Sequence, residues 1–441
     1  MENKIANKIL KIRFGILLLL ITVFTGIHAQ KTLSMDDAVK ISLKNNFDIL
    51  VAGNDASVSK VNNTPGNAGM LPTIAINGSG SYNMNNTYQK YPDGSSVNLP
   101  SINSSAVSAG VQLSWTLFDG GRMFVTKSKL NEIESLGEIQ YQEKVMQTLF
   151  NVISTYYDIV RQKQQLKYLQ VAMNYNKERV AIAQAGFNAG TLIKSDLLQA
   201  KIDLNVINEN FINQQFAINE ANKTLNQLLA QSKDDVYVFS DSIPLNYSPN
   251  RAELFQKLNT SNTTILSFQK QIDIANLAVK ESESGYLPNV GFRAGYYVAQ
   301  STNPNQTIAQ NRTLGPQVGG SVVIPLFSAG ENKRKFSVAK IQSQSAEYDL
   351  QNIKLQVNTL LENTLAEYEN QQRLLQIETE NNELALENYK ISLDRLRLGQ
   401  TTSLEVHIAQ ENFVQSNTRL INFRYNLKIA ETKLKQLVSA L

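Results

Sequence analysis

The chain has 441 residues, 42% hydrophobic and only 18% charged, with a formal charge of +4 and no cysteine. The missing cysteine excludes disulfides, thiolate metal sites, thiol catalysis and an acylated N-terminal Cys. Two histidines, His28 and His407, nearly exclude a His-rich metal site or a His-based catalytic triad. No basic run follows the first residues, which argues against a nucleic-acid partner. The composition therefore predicts no catalytic residues, no metal and no cofactor.

In chain order, the first signal is a leader. Lys4, Lys8, Lys11 and Arg13 precede the apolar run that starts at Ile16, and 27–29 is an imperfect A-x-A site. This predicts a signal peptide over 1–29, with the mature chain starting near Gln30. An N-terminal anchor helix would need a longer apolar run. Losing the leader brings the net charge to +1. The rest is then exported, and it can enter a membrane only as β-strands.

Self-comparison organises everything after the leader. Residues 108–121 lie over 317–330 at an offset of 209, which also puts Gly190 on Gly399, Asp196 on Glu405 and Leu228 on Leu437. Upstream the offset is 216, placing Asn46 on Asn262 and Leu71-Pro72 on Leu287-Pro288. The predicted first repeat is 30–230, with a short helix over 35–62, strands near 71–83 and 105–117, a long helix over 122–187 and a return helix over 195–230. Pro65 and Gly66 should end the short helix early. A linker follows over 231–251. The second repeat, 252–441, predicts a short helix over 252–285, strands near 288–298 and 314–326, and helices over 331–397 and 403–440. Residues 84–104 and 299–313, rich in Asn and Ser, read as loops.

At 1.5 Å per residue a long helix spans about 100 Å and a return helix about 60 Å. The return helix and a short helix must therefore stack end to end to match the long one. Leu420, Phe423, Leu427, Ala430, Leu434, Leu437 and Leu441 alternate spacings of three and four, a coiled-coil seam. Along the strands, Val107, Ala109, Val111, Leu113 and Trp115 alternate with small or polar residues, as do Val290, Phe292, Ala294, Tyr296 and Val298. Such segments fit a transmembrane barrel, although a soluble sandwich gives the same alternation. Four strands cannot close a barrel, since the smallest needs about eight, so the barrel reading requires several chains.

These features resemble the TolC-type outer membrane efflux proteins. The resemblance is carried by Leu71-Pro72 and Leu287-Pro288, by the strand ends 117–121 and 326–330, and by the helix tips 187–200 and 396–409. It implies an α+β membrane fold: a long α-helical coiled-coil barrel plus four transmembrane β-strands per chain, closed as 12 strands in a homotrimer. It also implies an outer membrane exit duct of a Gram-negative cell with a long periplasmic extension, serving efflux or type I secretion. Its partners would be a periplasmic adaptor and an inner-membrane pump, and outer membrane lipid around the barrel. Several members are lipoproteins, and the missing Cys says this chain is not. The competing reading is a non-transport coiled-coil protein of the envelope.

The candidate sites follow. Gly190, Thr191, Leu192 and Gly399, Gln400, Thr401 form the tips, where Gly caps a helix in the left-handed region and where the resemblance places adaptor contact. Asp196 and Glu405 open the return helices. A carboxylate there favours the helix N-terminus, and around one axis it would form a gate selective for cations. The family's usual gate pattern is absent, because its second acid falls at Ile408, its Arg at Thr401 and its Tyr at Leu396, leaving Arg397 as the nearest substitute. Trp115, Phe118 and Phe327 end the strands and fit a membrane-interface girdle.

Overall fold

The computed structural model describes residues 31–232, 237–240, 242–303 and 308–441. The leader over 1–29, with His28, lies outside the described residues. Two short strands, β1 (Lys31–Thr32) and β4 (Tyr237–Val238), pair in parallel. The first repeat carries α1 (Met35–Asn45), α2 (Phe47–Asn62), β2 (Thr73–Lys90), β3 (Ser96–Asp119), α3 (Arg122–Asn188) and α4 (Lys194–Leu228). The second carries α5 (Arg251–Ser261), α6 (Thr263–Glu283), β5 (Asn289–Thr302), β6 (Gln310–Val323), α7 (Glu331–Arg397) and α8 (Ser403–Leu437).

The short helices differ from the sequence expectation: each is two helices, broken at Asn46 and at Asn262. Both residues leave the helical region, with ψ of 123° and 117°. The side-chain oxygen of each accepts backbone N–H groups of the helix that follows. Each amide nitrogen donates to the end of a return helix, Asn46 to the Leu228 carbonyl and Asn262 to the Leu437 carbonyl. One side chain thus satisfies orphan groups at two helix ends. This joint stacks α4 on α2 and α8 on α6, so each pair matches a 67-residue long helix, α3 or α7. As expected at Pro65-Gly66, α2 stops at Asn62, whereas α6 runs to Glu283.

Two apolar clusters lie at these joints. In one, Leu258, Leu361 and Leu434 are wholly buried between α5, α7 and α8. In the other, Val152, Ile159 and Leu225 are buried between α3 and α4. Within the segment expected to link the repeats at this junction, Tyr237 and Phe239 are buried in the second cluster beside Leu33 and Tyr156. Of the predicted coiled-coil seam, Leu420, Leu427, Ala430, Leu434 and Leu437 are buried, and Phe423 and Leu441 are half-buried.

The four long strands form one antiparallel sheet in the order β2-β3-β5-β6. The 84–104 stretch is largely strand rather than loop, because β2 and β3 stay paired up to Lys90 and Ser96. Its Asn and Ser side chains help to hold this extension: Asn86 at a register shift accepts the Ser101 N–H at 2.7 Å. Conversely β6 ends at Val323, three residues early, because Pro325 has no N–H for the ladder. Among the described residues no helix is long and apolar enough to cross a membrane.

Candidate functional site: helix tips, mouth and membrane belt

Both tips reverse through a left-handed glycine, Gly190 at φ +75° and Gly399 at φ +70°. Helix α3 closes with the Thr191 N–H donating to the Gly186 carbonyl at 2.9 Å, and α7 with Gln400 donating to Arg395 at 2.8 Å. These bonds satisfy carbonyls that the helix ends leave open. Gly190, Thr191, Gly399 and Gln400 are exposed, and Thr401 is half-buried. Leu192 instead folds back: it packs with Ala183, Leu197 and Ala200, and a Cβ on Gly186 would meet its Cδ1 at 2.7 Å. Sequence reasoning missed three exposed apolar residues here, Ile193, Leu398 and Leu404. Their signal was an aliphatic side chain where a helix end is normally polar.

The two acids of the mouth differ. Asp196 is half-buried in the first turn of α4, and among the described residues its carboxylate has no hydrogen-bond or ion-pair partner. Glu405 is held inside its own tip, accepting from Arg395 Nη1 at 3.1 Å and from the Thr401 hydroxyl. The two repeat-related carboxylates therefore differ in their surroundings, one held by a half-exposed arginine and the other not. Arg397 takes no part in that contact. It pairs with Glu178 on α3 and with Asp394 at 2.6 Å, and the Glu178 carboxylate pushes its guanidinium further up. Leu396 is buried in the hairpin core.

A buried polar cluster near the tips had no signal in the sequence. Arg179 of α3 is wholly buried and meets Asp203 of α4 at 2.6 Å and Gln410 of α8 at 3.2 Å. Gln199 also donates to Asp203, and His407 Nδ1 lies 3.0 Å from it. Three helices from two hairpins thus share one carboxylate.

In the sheet, one face carries Ile74, Ile76, Val111, Leu113, Phe292 and Val318, brought side by side by the register. The other carries Asn77, Ser79, Ser108, Gln112, Ser114 and Gln317. On this polar face Tyr297 lies flat over two glycines: a Cβ on Gly110 would strike its ring, and one on Gly295 would come within 2.6 Å. Trp115 donates to the Met70 carbonyl at 2.9 Å and stands opposite Phe292. A register shift between Thr116 and Phe118 brings Phe118 opposite Val290, hence onto the apolar face with Trp115. Strict alternation would have turned it inward. Phe327 does not end a strand as expected: it lies beyond Pro325 and the end of β6, 89% exposed.

The family model for the outer membrane efflux protein matches residues 38–231 and 254–440. The chain belongs to that family. Like its relatives, this outer membrane efflux protein is an outer membrane channel, an exit duct. Among those relatives are TolC of Escherichia coli K12, 19% identical over 88% of this chain and 78% of that one. Another is the proteases secretion protein PrtF of Dickeya chrysanthemi, 19% identical over 77% and 73%. The fold matches crystal structures of CusC (TM-score 0.75, 16% identical, covering 92% of this chain and 91% of that one). It also matches VceC of Vibrio cholerae (TM-score 0.73, 13% identical, 92% and 95%).

Proposed function

We propose that three copies of this chain close one duct, with twelve strands in the outer membrane and the helices forming a passive tunnel through the periplasm. The observation that carries this is the open sheet. Its outer strands, β2 and β6, each pair on one side only, and an apolar sheet in lipid tolerates no free edge. The helices support the same closure. On α7, Ile377, Leu384 and Ile391 recur every seven residues and are all more than half exposed. On α4, Leu198, Ile202, Ile212 and Phe216 form an exposed apolar stripe. A stripe on one flank that meets a different stripe on the other is a head-to-tail interface, which closes as a ring.

The tips dock a periplasmic adaptor joined to an inner-membrane pump, through the exposed glycine loops and through Ile193, Leu398 and Leu404. Asp196 supplies one carboxylate per chain at the mouth. Efflux of small molecules and type I secretion both fit a wide bore lined by Ser, Asn and Gln. Light scattering on the detergent-solubilised protein tests the assembly. The expected mass is that of three chains, and a monomer or tetramer would sink the twelve-strand closure. A soluble product with no pore in planar bilayers would favour the non-transport envelope protein instead.

A further inference from the structure

Between the stacked joints and the tips, α3 and α8 part around a two-lobed cavity. Tyr168 of α3 and Phe413 of α8, with rings 6.2 Å apart, lie at the partition together with Asn417. The lobe of about 430 Å³ is lined by apolar and amide side chains and carries no charge. The lobe of about 470 Å³ is different. It reaches α7, and besides Lys163, whose ammonium lies over the Phe239 ring at 4.8 Å, three cations, Lys167, Lys390 and Arg424, stand on its rim. No carboxylate lines it. None of these three cations has an ion-pair partner among the described residues, in a chain whose other helices pair many of their charges.

Two features set the cavity apart from ordinary loose packing. Asn417 is 2% exposed, lines both lobes, and neither its amide nitrogen nor its amide oxygen has a partner. A buried amide in that state needs an explanation, and a bound group is one. The second is the internal repeat. At the offset of 209, Lys167, Lys390 and Arg424 correspond to Gln376, Ala181 and Gln215, and Tyr168 and Phe413 to Ile377 and Leu204. The shared scaffold therefore does not require these cations or these rings. They belong to one side of the molecule only.

We propose that this cavity binds an amphipathic anion, a molecule with an aromatic or aliphatic body and one sulfonate, carboxylate or phosphate group. The body fills the space against Tyr168 and Phe413. The anionic group meets the three cations, whose mutual repulsion it relieves. Asn417 donates to or accepts from a polar atom of the body. Because Lys167 stands on the first hairpin and Lys390 and Arg424 on the second, the occupant ties the two hairpins together. The site lies 22 residues above Gly190 along α3, about 33 Å from the tip, so it is separate from the mouth and the docking loops.

Equilibrium dialysis tests this with naphthalene-2-sulfonate against the full chain in neutral maltoside micelles, with empty micelles as the blank. The expected result is saturable binding of one molecule per chain, weakened by 1 M salt. The triple variant Lys167→Gln, Lys390→Gln, Arg424→Gln should bind at least tenfold more weakly. Uncharged 2-naphthol should also bind the parent at least tenfold more weakly than the sulfonate. Asn417→Leu, which leaves the rim intact, should weaken binding threefold or more. Unsaturable uptake, equal affinity in the triple variant, or equal affinity for 2-naphthol would overturn the proposal. The readout does not depend on the oligomeric state, so a failed trimer reading and a failed ligand site are told apart.

Discussion

Asn262 donates to the Leu437 carbonyl at 2.8 Å while accepting the Ile265 N–H at 2.9 Å. The same joint recurs between Asn46 and Leu228 in the first repeat. Replacing either Asn by Ala removes an N-cap and strands a buried carbonyl, which should cost about 2 kcal/mol at each joint. The two joints share no partner, so the double variant should lose close to the sum. Denaturant melts of the solubilised protein, followed by circular dichroism, measure it.

The tip glycines are held left-handed with open space around them, since a Cβ on Gly190 or Gly399 meets nothing within 4 Å. A Gly→Val change there costs backbone strain alone, of order 1 kcal/mol or more. Assembly and insertion should be intact, and adaptor docking should weaken. Export by the complete system, measured in the Gly190→Val, Gly399→Val double variant, should fall, and unchanged export would exclude these loops from docking.

The two mouth acids should behave differently in planar bilayers. Asp196 has no partner, so Asp196→Asn should lower cation preference and weaken block by multivalent cations. Glu405 is already paired with Arg395, so Glu405→Gln should shift the reversal potential far less. Equal shifts would mean that Arg395 leaves Glu405 when the mouth forms.

Arg179 and Asp203 are buried together. Arg179→Met takes the arginine away from a buried carboxylate, leaving Asp203 only the Gln199 amide and the His407 ring beside it, and should cost about 3–5 kcal/mol. Adding Asp203→Leu should recover most of that loss. A thermal melt of the single and double variants decides it.

Glu281 ties α6 to α3 through Lys129, Arg122 and Thr126. Burial alone would raise its carboxyl, but Lys129 and Arg122 outweigh that and hold it below the ordinary carboxylate range. A depressed carboxyl stabilises the fold fully above about pH 4.3, and the stabilisation is lost as pH falls through the lowered value. Acid titration of stability should therefore be shallower in Glu281→Gln than in the parent.

Most of the helical frame was legible because the repeat reports each element twice. The ends of α7 at 331 and 397, and the reversal at Gly399, follow from that register. The breaks at Asn46 and Asn262 were not legible, because an Asn without Pro or Gly does not stop a helix by propensity alone. Its partner carbonyl lies 182 or 175 residues away. Phe118 was placed at the membrane belt, but the bulge that turns it outward is a register event set by the pairing of β3 with β5. Phe327 was expected to end β6 by its alignment with Phe118, but Pro325 stops the ladder before Phe327 is reached. Arg179, Asp203 and His407 meet only when three helices from two hairpins are folded, which spacing along one helix cannot reveal.

The half-paired outer strands also govern how the molecule is made. A single chain that inserted early would carry two open hydrogen-bonding edges, β2 and β6, into lipid, where nothing else can satisfy them. Its sheet therefore has no stable solitary form. In the proposed closure only the outer edges of β2 and β6 must wait for other copies, and the yield of inserted barrel should climb steeply with the local density of newly exported chains.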